Sequence, residues 1–119
     1  MVPYMLPFAV MTFLIKELLL NDGTSPFKAW FDDLDALTAA KVQVAVARME
    51  QGNFSNVKWF RGIGEFRVDW GPGLRIYLAK DGAQIILLLG GGTKKRQQKD
   101  IDLALERWEN YKRQKATRG

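Results

Sequence analysis

The chain has 119 residues, 47% of them apolar and 26% charged, which suits a single globular domain long enough to bury a real core. It contains neither cysteine nor histidine; disulfides, thiolate metal sites and the usual imidazole base are therefore excluded, and acid–base chemistry has to come from Lys, Tyr, Arg, Asp or Glu. The net charge is +5, and all of the excess lies in residues 94–119, which hold nine basic and four acidic side chains, whereas residues 1–93 hold nine of each. Such a basic end fits either a polyanionic partner, nucleic acid above all, or a solvated last helix.

In chain order, Met1 to Ile15 carry no charge. A signal peptide would need a basic stretch ahead of this run, and a membrane span needs about 18 apolar residues. Here Pro3 and Pro7 break the run, and Lys16 and Glu17 end it. Residues 1–11 are therefore read as an extension, with Met5 and Met11 as alternative starts, and Thr12 to Leu18 as a first strand. Absence of cysteine and of a membrane segment fits a cytoplasmic protein. Asn21 to Thr24 form a turn cluster, after which Ser25 supplies an N-cap and Pro26 the first helical position. Phe27, Trp30, Phe31 and Leu34 recur at helical spacing, while Asp32, Asp33 and Asp35 lie off that stripe and read as a solvated face rather than a metal site. A second helix is expected from Thr38 to Gln51, burying Val42, Ala45, Val46 and Met49, with Gly52 at its left-handed end. The two are expected to form a helical hairpin packed on a sheet.

From Val57 the apolar period changes to two. Strands are expected over Val57–Phe60, Glu65–Trp70, Leu74–Lys80 and Gln84–Leu89, the last two joined by an Asp81-Gly82 turn. Phe66, Val68 and Trp70 share one face; Glu65, Arg67 and Asp69 share the other. A three-residue Gly71-Pro72-Gly73 loop would place Trp70 opposite Leu74, Val68 opposite Ile76, Asp69 opposite Arg75 and Arg67 opposite Tyr77. Two arginines and a tyrosine then meet on a face suited to an RNA phosphate. Ile85 to Leu89 is apolar on both faces, so this strand is expected to be central and covered on both sides. Part of the Arg/Tyr face is then roofed, and the open remainder is a groove. Gly90-Gly91-Gly92 is read as the strand exit; it lacks the spacing of a phosphate-binding P-loop. A last helix is expected from Gln97 to Arg113, with an apolar stripe of Ile101, Ala104, Leu105, Trp108 and Tyr111, and residues 114–119 as a flexible tail.

The predicted order of one strand, two helices, a three- to four-stranded antiparallel sheet and a C-terminal helix is α+β. Several segments, in order, make the chain resemble the RelE/ParE toxin superfamily, in its HigB-like addiction module killer branch. They are Ser25-Pro26-Phe27 with Trp30-Phe31, Gly52-Asn53-Phe54, Val57-Lys58, Glu65-Phe66-Arg67-Val68-Asp69, Gly71-Pro72-Gly73, Arg75-Ile76-Tyr77, Gly91-Gly92-Thr93-Lys94, Gln97 and Lys99-Asp100-Ile101. The resemblance spans residues 12–113. Leu74 departs from it, standing where an aromatic is usual, and so does Thr93, where an aspartate is common.

The resemblance implies a RelE-like fold and a toxin of a type II toxin–antitoxin system that cleaves mRNA on the ribosome without metal or cofactor. The implied reaction is attack of a ribose 2′-OH on the adjacent phosphate, which needs a base, cations for the growing phosphorane charge and an acid for the leaving oxygen. Arg67 and Arg75 are candidates for the phosphate cations. Lys94 and Lys95 are candidates for base or clamp, since a lysine crowded by other cations gives up its proton more readily. Tyr77 is a candidate proton donor or stacking surface. Lys58, Arg96, Gln97 and Lys99 are candidate RNA-binding residues. The implied partners are the ribosome, mRNA and a small helix-turn-helix antitoxin, with operator DNA bound only through that antitoxin. Two alternatives stay open: a non-enzymatic ParE-like gyrase poison, and a degenerate toxin that only binds its antitoxin.

Overall fold

A computed structural model describes residues 12–118; the 1–11 extension, with its alternative start codons, and Gly119 lie outside the described residues. The element order is β1 (Leu14–Glu17), α1 (Pro26–Asp32), α2 (Ala36–Glu50), β2 (Val57–Phe60), β3 (Ile63–Val68), β4 (Leu74–Lys80), β5 (Ile85–Thr93) and α3 (Gln97–Thr117), with a single 3-10 turn at Lys94–Arg96 before α3. The five strands form one sheet in the order β1-β5-β4-β3-β2. The expected antiparallel strands β2 to β5 are all present, and β1 joins them parallel to β5, so the α+β sheet is mixed and five-stranded.

The Ser25-Pro26 start acts as anticipated, whereas α2 begins at Ala36, two residues before the expected Thr38, on an Asp35 cap where the sequence suggests a solvated carboxylate. Ser25 Oγ accepts the Lys28 N–H at 3.0 Å with Pro26 at the first helical position, and Asp35 accepts the Thr38 N–H at 2.8 Å to cap α2. Asp32 pairs with Lys28, so two of the three neighbouring carboxylates have structural partners. Helices α1 and α2 cover one face of the sheet, where Phe27, Val42 and Met49 pack on Phe66, Ile76 and Leu88. Helix α3 covers part of the other, where Ala104 and Trp108 pack on Ile63, Tyr77 and Leu89. Strand β5 is accordingly an interior strand, between β1 and β4, and is buried between two helical layers.

Three further expectations are corrected. The β3–β4 register differs by two residues: Val68 faces Leu74, Phe66 faces Ile76, Arg67 faces Arg75 and Glu65 faces Tyr77. The connection takes five residues, Asp69 to Gly73. Inside it Trp70 N–H donates to Val68 O and Gly73 N–H to Trp70 O, and the left-handed φ of 77° at Gly73 closes it. A shift of two keeps every side chain on its predicted face. Second, the glycine triplet does not end β5 but continues it to Thr93. A side chain at Gly91 would run into the Trp30 ring from α1, and one at Gly92 into the Asp100 carboxylate from α3. The register slips between Tyr77 and Leu78, leaving Leu89 unpaired; this bulge turns Leu89 and Gly90 toward the same layer. Third, α3 runs four residues beyond Arg113, to Thr117. Its last turns dock rather than project, with Tyr111 and Lys115 both donating to Asp81 and Gln114 donating to Asn21.

Candidate functional site

Strands β2, β3 and β4 present Lys58, Glu65, Arg67, Arg75 and Tyr77 on the α3 side of the sheet because these positions alternate with the apolar residues of the opposite face. Helix α3 roofs the Tyr77 end only. The uncovered end is an open groove of about 570 Å³ lined by Ser55, Asn56, Val57, Lys58, Arg67, Val68, Asp69, Gly73, Arg75 and Lys94. Lys94 reaches it because its N–H donates to Gly73 O at 3.0 Å, stapling the end of β5 to the turn after β3. At Gly73 a Cβ would lie 2.9 Å from Arg75 Nη1, so the glycine leaves room for the guanidinium as well as closing the turn.

Beneath the groove lies a carboxylate, Glu65, that is only 1% exposed. It accepts from Arg67 Nε at 2.9 Å, Tyr77 Oη at 3.1 Å and Gln97 Nε2 at 2.8 Å, and Arg75 Nε stands 3.7 Å from it. Burial alone would raise the Glu65 pKa; the donors Gln97, Arg67 and Tyr77 outweigh it and hold the carboxyl below its ordinary range. Like charges directly opposite on neighbouring strands repel, and Arg67 and Arg75 are such a pair; the Glu65 charge between them offsets that repulsion. Arg75 is 7% exposed. Its Nη1 donates to Gly73 O at 2.8 Å, and its buried Nε has no hydrogen-bond acceptor. A guanidinium held this way lends its charge to the groove while its Nε stays beneath the surface beside Glu65.

Of the sequence candidates, the fold brings Lys58, Arg67, Arg75 and Lys94 into one groove. Tyr77 is corrected from a substrate-facing donor to a buried residue. It is 1% exposed in the core beneath α3, and burial together with the adjacent Glu65 charge drives its pKa well above the ordinary phenol value. Gln97 reaches Glu65 rather than the groove. Lys95, Arg96 and Lys99 are exposed and do not line the groove. The charges of Arg96 and Lys99 act on Asp100 instead, whose pKa is raised by burial and only partly offset by Arg96, Arg107 and Lys99. The expected Asp69–Arg75 pair is not formed; Arg75 faces Glu65, and Asp69 is an exposed carboxylate on the groove rim. Sequence reasoning did not pick out Ser55 and Asn56 as lining residues. The Asn56 carbonyl accepts the Arg67 N–H at 3.1 Å, which only the β2–β3 register could have revealed.

Among the described residues there is no cluster of acidic side chains able to hold a metal ion, and no helix is long and apolar enough to cross a membrane. The groove combines four cations with one rim carboxylate, Asp69, over a neutralising Glu65. Such a surface binds and polarises an anionic ester.

Fold and groove together define an α+β protein with a cationic cleft at the open end of a mixed sheet. No protein-family model matches the chain. It is 40% identical over 83 residues to an uncharacterized protein of Haemophilus influenzae, an alignment covering 68% of this chain and 84% of that protein; the chain belongs to the same family as that protein.

Proposed function

We propose that the protein is the toxin of a type II toxin–antitoxin pair, a HigB-like member of the RelE/ParE superfamily that cleaves mRNA on the ribosome. The observation that carries this reading is the convergence of Lys58, Arg67, Arg75 and Lys94 on one open groove of about 570 Å³. The sequence resemblance supplies the reaction class. In this reading Arg75, which lines the groove and is held through Nη1 by the Gly73 carbonyl, carries the cation for the scissile phosphate. Arg67, half-exposed and tethered through Nε to Glu65, has its remaining donors for the second phosphate oxygen. Charge grows on those oxygens as the 2′-OH attacks, and preorganised cations stabilise it more than they stabilise the ground state. In this reading the Asp69 carboxylate takes the hydroxyl proton, and Lys94, which also lines the groove, clamps the phosphate. Lys58 is the remaining cation for the leaving 5′-oxygen.

The reading carries a cytoplasmic site of action and an antitoxin that masks the groove. Induced expression is expected to stop growth and leave new transcript ends inside coding regions, with rescue by the neighbouring antitoxin gene. The Arg67→Ala/Arg75→Ala variant is expected to lose both effects. Growth arrest with intact mRNA and gyrase-trapped DNA breaks would replace ribonuclease activity with gyrase poisoning. Harmless expression of a folded protein that still pairs with the antitoxin would mark an inactive copy.

A further inference from the structure

A second groove, of about 330 Å³, lies on the α2 side of the sheet and is lined by Lys41, Val44, Ala45, Arg48, Asn56, Phe66, Arg67, Val68, Asp69 and Trp70. Four of these, Asn56, Arg67, Val68 and Asp69, also line the first groove. The two cavities therefore meet across the end of β3. They can meet there because the β2–β3 ladder ends at Val57 opposite Phe66, with one further bond from Arg67 N–H to Asn56 O, after which Val68 and the Asp69–Gly73 turn run on without β2 beside them. On one side of that stretch stand Arg75, Lys58 and Lys94; on the other stand Lys41 and Arg48 of α2. Neither Lys41 nor Arg48 is in an ion pair among the described residues. The Lys41 ammonium instead sits 4.6 Å from the centre of the Trp70 ring. Cations beside an accessible indole are what a single-stranded nucleic acid uses, phosphates on the former and a base on the latter.

We propose that the second groove is an extended subsite for single-stranded RNA, in which the strand leaving the first groove bends over the end of β3. Arg48 and Lys41 bind its flanking phosphates, and Trp70 supports a flanking base. The proposal rests on the reading of the first groove as an RNA site, and it deepens that reading by making recognition depend on strand length. Asp69, at the crossing, keeps the path from being uniformly cationic and favours a flexible strand that can place a sugar rather than a phosphate there.

The test is binding of fluorescently labelled oligouridylates, a trinucleotide and a ~12-nucleotide strand, to wild-type protein and to the Lys41→Ala/Arg48→Ala variant. Both side chains are exposed, so the fold is retained, and circular dichroism checks this. The variant is expected to bind the longer strand about tenfold more weakly, and its salt dependence is expected to flatten by about 1.4, the increment for two phosphates of a single strand. Binding of the trinucleotide is expected to be unchanged. Equal affinity of variant and wild type for the longer strand overturns the subsite. The first-groove reading fails by a different result: Arg75→Ala binding both lengths as wild type does. Polyglutamate of matching charge competing as well as RNA at Lys41 and Arg48 would assign the groove to an acidic protein segment and also overturn the proposal.

Discussion

Glu65 is the residue on which the first groove depends, although no substrate would touch it. It is almost fully buried and is the shared acceptor for Arg67, Tyr77 and Gln97, with Arg75 close by. Glu65→Gln keeps the shape and removes the charge, leaving the Arg75 guanidinium buried without a counter-charge. The expected cost is about 3 kcal/mol of stability, measured by urea unfolding at neutral pH. The carboxyl is held below its ordinary value of 4.5 in the folded state. Its stabilisation is therefore complete above that value and lost as pH falls through the lower, folded one. The gap between wild type and Glu65→Gln is expected to close on acidification below pH 4.5; a constant gap would show that the charge is not what the fold uses. Tyr77→Phe provides the contrast. It removes one buried hydrogen bond, costing about 1 kcal/mol, and it is expected to leave growth arrest and RNA binding intact, because the hydroxyl points to Glu65 and not into the groove. Loss of activity in Tyr77→Phe at unchanged stability would restore the tyrosine to the chemistry.

At the scale of elements, the glycine triplet is a packing device. Trp30 of α1 lies against Gly91 from one side of β5 and Asp100 of α3 against Gly92 from the other. Gly91→Ala is expected to destabilise by about 2 kcal/mol through overpacking against the indole, a fall of about 8 °C in Tm by calorimetry; an unchanged Tm would mean that Trp30 swings aside freely. This role was hidden in the sequence because glycines that admit a neighbouring ring look the same as glycines that release a strand. The elements themselves were legible wherever period and caps agreed: Ser25-Pro26 opens α1, and β2 and β4 span the residues that the alternation marked; the Asp35 cap of α2 was missed because a carboxylate ahead of a helix looks the same as one on a solvated face. Register was not legible. Gly71-Pro72-Gly73 looks like a complete turn, yet Asp69 and Trp70 also belong to it, because Trp70 N–H folds back on Val68 O. The two-residue error preserved the face of each side chain, so Arg67 and Arg75 were placed on the right surface. It misassigned their partners, and the central place of Glu65 depends on those partners.

Across the whole molecule, charge in the sequence and charge at the site separate. The excess positive charge lies in residues 94–119, but only Lys94 of that stretch lines the first groove; Lys58, Arg67 and Arg75 come from the electrically balanced part of the chain. Along α3 three of the cations are engaged within the protein, Lys112 with Glu109, Arg113 with Asn110 and Lys115 with Asp81. Net charge steers a polyanion toward a surface over a Debye length of about 8–10 Å, whereas counterion release counts the phosphates actually neutralised. The two contributions are separable on a ~12-nucleotide RNA. Lys58→Gln/Arg67→Gln is expected to flatten the dependence of log affinity on log salt by about 1.4, since each single-strand phosphate left without its cation lowers the slope by about 0.7. Lys112→Gln/Arg113→Gln removes the same formal charge from α3 and is expected to leave the slope unchanged, lowering only the association rate at low salt. If the α3 variant flattened the slope and the groove variant did not, the strand would lie along the last helix, and the convergence of cations at the open end of the sheet would have no part in binding it.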